Sequence, residues 1–228
     1  MNNALHGYNL HLQPSRSAAG GFALYTNKSL NAVKRTDLSV TVEEFETVWV
    51  EIKNIKSKRI LCCCAYRHPS SFPQRFTEHI ETIWHNLARE NKNIFILGDF
   101  NIELLNCENH PASENFLNMV NSNCLLSYIL QPTRVTDRSA TLIDNIFANT
   151  FNFNALSGNL VTKISDHFPQ FLIIEDLKVY QWLCRPLPPC FSEYFKFTSS
   201  FHSYSTRQSC NRNLHVTSVN TTQLAYAP

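Results

Sequence analysis

Four short stretches of this 228-residue chain carry side chains suited to acid–base or phosphate chemistry. In Leu97-Gly98-Asp99-Phe100-Asn101 a carboxylate stands two residues from an amide. On an extended chain both point to one side. Asp99 can then orient or deprotonate a water, while Asn101 donates to an anionic oxygen. In Ser165-Asp166-His167 the imidazole can donate to a phosphate oxygen, and Asp166 can bind a metal or a water. Asp144 stands between apolar neighbours in Thr141-Leu142-Ile143-Asp144-Asn145-Ile146 and needs a partner, for which a histidine serves well. Tyr66 and Arg67 precede His68-Pro69, and a phenol beside a guanidinium suits phosphate contact. Taken singly, each stretch is equally an ordinary polar turn at a strand end. Taken together, all four lie where apolar runs stop.

Those runs supply the scaffold. Phe22 to Tyr25, after Gly20-Gly21, reads as a strand. Phe45 to Ile52 alternates apolar and polar residues and reads as a half-buried strand, with Glu46 on its polar side. Arg59 to Tyr66 and Ile94 to Leu97 are continuous apolar runs, the mark of strands buried on both faces. Leu142 to Ala148 and Phe168 to Ile174 read as further strands. Phe76, Ile80, Ile83, Trp84 and Leu87 have the spacing of an amphipathic helix within residues 72–91. A shorter helix carries Phe116, Met119 and Val120, with Ser113 as its expected N-cap. Strands outnumber helices, which predicts sheets packed on each other with helices outside.

Composition narrows the function classes. Five glycines exclude collagen and folds with several glycines in one phosphate loop. No run of eighteen apolar residues exists, so no membrane-spanning helix is expected. The first 177 residues carry 15 basic and 17 acidic side chains, so charge alone does not make them a nucleic-acid surface. A polyanionic substrate would need a metal ion or a local basic patch. The eight cysteines form no CxxC, and Cys62, Cys63 and Cys64 alternate in direction, so reduced intracellular thiols are expected.

The order of the four stretches resembles the endonuclease/exonuclease/phosphatase superfamily, with the nearest likeness to endonuclease domains of non-LTR (LINE-like) retrotransposons. The likeness rests on Gly20-Gly21-Phe22-Ala23-Leu24-Tyr25, Ala65-Tyr66-Arg67-His68-Pro69, Leu97-Gly98-Asp99-Phe100-Asn101, Thr133 with Leu142-Ile143-Asp144-Asn145-Ile146-Phe147, and Ser165-Asp166-His167-Phe168-Pro169. It implies a four-layer α/β/β/α sandwich over residues 1–176, two mixed sheets with helices outside, followed by an irregular or disordered tail over 177–228. It implies Mg²⁺- or Mn²⁺-assisted hydrolysis of a DNA phosphodiester, without a membrane, in a nuclear or cytoplasmic protein. In a full-length parent element it would be joined to a reverse transcriptase. By position, Asp99 would orient the attacking water, Asn101 and His167 would hold the scissile phosphate, and Asp144 would orient His167. Tyr66 would donate to a phosphate oxygen, Asp166 would serve the metal, and Arg67 would bind phosphate.

One part of the pattern is missing. The resemblance implies a metal-binding Glu upstream of the glycine-bearing strand, yet residues 1–36 contain no Asp or Glu, and the first acid is Asp37. The expectation is a domain lacking its first strands, with an exposed sheet edge and an impaired metal site. A non-catalytic remnant of a mobile element, or a phosphatase of the same superfamily, are the alternatives.

Overall fold

The computed structural model describes residues 5–13, 22–53, 59–150 and 155–174. Its centre is a mixed sheet of seven strands. They are β3 (Ala32–Lys34), β4 (Val40–Thr41), β5 (Phe45–Ile52), β6 (Ile60–Arg67), β7 (Asn93–Asp99), β8 (Leu126–Ser127) and β11 (Asp144–Ala148). The path runs β3-β5-β6-β7-β11-β8, with β4 also on β5. The β6–β7 pair is parallel and the others are antiparallel. Three two-stranded pieces complete the described strands. These are β1 (Tyr8–Gln13) with β2 (Phe22–Asn27), β9 (Arg134–Val135) with β10 (Ala140–Thr141), and β12 (Ala155–Asn159) with β13 (Gln170–Ile174).

Burial on both faces explains why the central strands form. β6 is Ile-Leu-Cys-Cys-Cys-Ala before its polar end, and all six residues are buried. Cys63 faces the side that helices cover, while Cys62 and Cys64 face the other. All three thiols are free, and burial alone pushes Cys62 up to about 12, so these cysteines act as small hydrophobes. β5 is likewise buried at every position, not half-buried as its alternation predicts. Its polar residues Glu46, Thr47 and Glu51 are inside the protein.

Two helices cover one face. α1 (Pro73–Leu87) begins on a proline, whose missing N–H costs nothing in a first turn. It buries Phe76, Ile80, Ile83, Trp84 and Leu87, as the spacing predicts. After a short 3₁₀ turn it stops at Asn91, which takes the left-handed conformation common at helix ends. α2 (Pro111–Ser122) also starts on a proline, two residues before the expected cap Ser113, which lies buried inside the first turn. Phe76 and Phe116 on the helices stack on each other and join Phe100 and Phe147 in a cluster of tilted and edge-on ring contacts, with centroids of touching rings 5.3–6.1 Å apart. Such rings contribute about 0.5–1.5 kcal/mol per pair beyond their burial.

The opposite face of the sheet carries Ile52, Ile60, Cys62, Phe95 and Ala148, packed against Leu172 and Ile174 of β13. Helices, central sheet and a second layer of strands thus make the expected α/β sandwich. Among the described residues both helices lie in one outer layer. The glycine pair before β2 and the tail from residue 177 lie outside the described residues.

Candidate active site

Register on the central sheet lines up the polar strand ends. Glu46 on β5 pairs with Tyr66 on β6, Tyr66 with Asp99 on β7, and Asp99 with Asp144 on β11. Residues paired across neighbouring strands share a face. Glu46, Tyr66, Asp99 and Asp144 therefore form one row across four strands, on the face opposite the helices.

Gly98 makes this row possible. A Cβ there would lie 1.8 Å from the carbonyl oxygen of Ala65, its partner on β6, and its φ of +147° is one that side chains rarely adopt. After Asp99, Phe100 turns into the aromatic cluster and Asn101 takes a left-handed φ of 48°. The chain is thus not extended at Asn101. Its N–H donates to Asp99 Oδ1 at 3.0 Å, and its Nδ2 donates to the Arg67 carbonyl at 2.7 Å. The turn and the functional pairing are one structure.

Thr133 assembles the other side. Its buried hydroxyl oxygen accepts from the N–H groups of Ile143 and Asp144 at 3.2 and 3.0 Å. Its carbonyl accepts from Phe168 N–H at 2.7 Å, and a bridge joins Arg134 to His167. These bonds bring His167 Nδ1 to 3.1 and 3.3 Å from the two oxygens of Asp144. The partner that Asp144 needs is therefore His167. One ligand atom each from Asp99, Asp144 and His167 lie within 4.8 Å of one another.

Burial and like charge tune the cluster. Asp99 is pushed up to about 6, first by burial and then by the Asp144 charge, against the Asn101 hydrogen bond, His167 and Arg67. His167 is held above its ordinary value mainly by its hydrogen bond to Asp144. Tyr66 is held above the usual phenol range by burial and by the charges of Asp99 and Glu46.

Two candidates lie elsewhere. Arg67 follows Tyr66 on β6 and so points to the opposite face. Its guanidinium is buried, donating to the carbonyls of His68, Ser71, Phe100 and Asn101 and to the Ser71 hydroxyl. It ties the ends of β6 and β7 together from behind. Asp166 is exposed and accepts from Arg134 Nε at 2.7 Å, and that pair lowers its pKa. The structure does not bring Arg67 or Asp166 into the cluster. Thr133 is the positioning residue that residue types alone do not single out.

The sequence pattern of the Endonuclease/Exonuclease/phosphatase family matches residues 2–167, a span that holds every residue of the row and the cluster. The chain belongs to the Endonuclease/Exonuclease/phosphatase family. This family joins nucleases and phosphatases, both hydrolases of phosphate esters. No curated protein matches the chain by sequence. Solved structures share its fold. The endonuclease domain of TRAS1, a telomere-specific non-LTR retrotransposon, aligns at a TM-score of 0.60 and 16% identity, over 76% of this chain and 83% of that one. The catalytic domain of Xenopus laevis APE2 aligns at 0.56 and 18% identity, over 75% and 76%. An endonuclease/exonuclease/phosphatase family protein from Leptotrichia buccalis aligns at 0.52 and 23% identity, over 74% and 72%. Among the described residues no helix is long and apolar enough to cross a membrane.

Proposed function

We propose that the chain is a divalent-metal-dependent phosphodiesterase domain that nicks DNA, of the kind carried by non-LTR retrotransposons beside a reverse transcriptase. The observation that carries this reading is the convergence of Asp99, Asp144 and His167 within 4.8 Å at the end of the central sheet. The fold shared with the TRAS1 and APE2 domains supports DNA as substrate.

The donor set suits a hard divalent cation. Two neighbouring carboxylates, one with its proton affinity raised by burial and by the other's charge, are relieved by a positive charge, and Mg²⁺ takes oxygen ligands while keeping several waters. Oxygens of Asp99 and Asp144 would hold the ion. When bound, it would offset charge on the phosphate and polarise a phosphate oxygen.

The other roles belong to protein groups. Asp99 orients the attacking water and accepts its proton. Asp144 engages Nδ1 of His167 and so leaves Nε2 to donate to the phosphate. Tyr66, kept protonated by its surroundings, donates to a developing oxyanion. Asn101 keeps its second amide N–H for the same group. With no Asp or Glu in residues 1–36, few carboxylates serve the ion, and we expect slow turnover in this 228-residue chain.

Plasmid nicking in Mg²⁺, run beside thermal melts with and without Mg²⁺, tests the reading. The expected result is slow nicking lost in Asp99→Ala and His167→Ala, with Mg²⁺-linked stabilisation lost in Asp99→Ala. Nicking that survives both substitutions, or a chain that Mg²⁺ does not stabilise, overturns the assignment. Fast nicking abolished by both overturns only the expectation of slow turnover.

A further inference from the structure

Glu46 has no role in the scheme above, yet it is the most demanding residue in the row. It is fully buried, and neither carboxylate oxygen has a hydrogen bond. A carboxylate without donors in a protein interior costs several kcal/mol, so a compensating group has to be close. The imidazole of His68 supplies one, with Nε2 at 3.8 Å from Glu46 Oε1.

His68 is held firmly. Its N–H donates to the Glu44 carbonyl at 2.9 Å, and its own carbonyl accepts from Arg67, the Ser71 hydroxyl and the Ser71 N–H. Its ring stands nearly perpendicular to that of Tyr66, with centroids 4.9 Å apart. The side chain is 17% exposed, beside the residue proposed to touch phosphate. A carboxylate–imidazole pair thus flanks the row at each end, Glu46 with His68 and Asp144 with His167. Glu46 and Asp144 are three strand spacings apart, about 14 Å. One phosphate cannot span that distance, whereas successive phosphates of a strand can.

We infer that His68, held by the buried Glu46, is a second imidazole of the site and contacts a DNA backbone phosphate other than the scissile one. An imidazole with one nitrogen turned to a carboxylate offers its other nitrogen to an anionic oxygen, and in its charged form it donates from both. Glu46 is then a positioning residue. The inference rests on the nuclease reading of the site.

Salt-dependent binding of the full chain to a duplex oligonucleotide in EDTA tests it, with folding of each variant checked by circular dichroism. Each phosphate contact contributes about 0.9 to the slope of log affinity against log salt. Between 50 and 200 mM KCl, His68→Ala should therefore lose about 3.5-fold less affinity than wild type. His68→Arg should keep the wild-type slope. Glu46→Gln should behave as His68→Ala, and the double variant should add nothing further. An unchanged slope in His68→Ala, or a fully additive double variant, overturns this inference and leaves the nuclease reading standing. A wild-type chain without salt-dependent DNA binding overturns both.

Discussion

Burial of Asp99 beside Asp144 makes the stability of the metal-free chain fall as pH rises, against the usual behaviour of carboxylates. Asp99 titrates near 6 in the folded chain and near 3.8 when unfolded. A carboxyl with a raised folded pKa binds its proton more tightly when folded. Its stabilising contribution is complete below the unfolded value and is lost as pH climbs through the folded one. A difference of roughly two units corresponds to about 3 kcal/mol lost between pH 4 and 7. His167 adds to the fall at higher pH. Its folded pKa is raised, so its contribution is complete below 6.5 and disappears as pH passes the folded value. Asp37, Glu51 and Glu90, all lowered, act in the opposite sense at acid pH. Comparison with Asp99→Asn removes that background, because the amide does not titrate while the other groups remain. Urea unfolding in EDTA at pH 4, 5, 6 and 7 should show wild type losing about 3 kcal/mol relative to Asp99→Asn across the range. Magnesium should then offset most of that loss at neutral pH. Asp99 is about 90% ionised at pH 7 and about 9% at pH 5, so the ion should bind about tenfold more weakly at the lower pH. At a hundred times its dissociation constant it should stabilise wild type by about 2.7 kcal/mol and Asp99→Asn far less. A difference between the two proteins that stays constant from pH 4 to 7 would refute the reasoning, since Asp99 would then be neither desolvated nor facing Asp144.

Two substitutions test the scaffold behind the site. Arg67→Lys replaces a fork that donates to four carbonyls and a hydroxyl by a point charge that cannot reach them all. It should cost about 3 kcal/mol in urea unfolding, and a variant as stable as wild type would show that the fork does not tie the strand ends together. Gly98→Ala would drive a methyl group into the Ala65 carbonyl and force β6 and β7 apart. It should cost more than about 4 kcal/mol, and a melting temperature within a few degrees of wild type would show that the strands tolerate the methyl.

The central sheet is readable in the sequence because burial on both faces writes itself as continuous apolar runs. Ile60 to Ala65 and Ile94 to Leu97 need no partner to be recognised as strands, and the 3.6-residue spacing of Phe76, Ile80, Ile83 and Leu87 needs none to be a helix. β8, β9 and β10 are two residues each, and Ala155–Asn159 carries little hydrophobic pattern. Such strands exist because a distant partner offers hydrogen bonds, as Gln170–Ile174 does for β12, and nothing local announces them. The same distinction separates the site residues. Asp99 and Asp144 are marked by what precedes or surrounds them, apolar residues that carry a carboxylate to the end of a buried strand. Glu46 carries no such mark. Its strand alternates, and alternation ordinarily means one face in water. Here the far face is covered as well, so a residue whose spacing suggests solvent is fully enclosed. Arg67 illustrates the converse, for strand alternation alone sends it to the face opposite Tyr66, whatever phosphate chemistry its type suggests. Residue type proposes a role, and the strand's two-residue period decides which side of the sheet can perform it. In this chain the period places Glu46, Tyr66, Asp99 and Asp144 on one side and Arg67 on the other. The chemistry of the site therefore follows from register more than from the number of charged residues nearby.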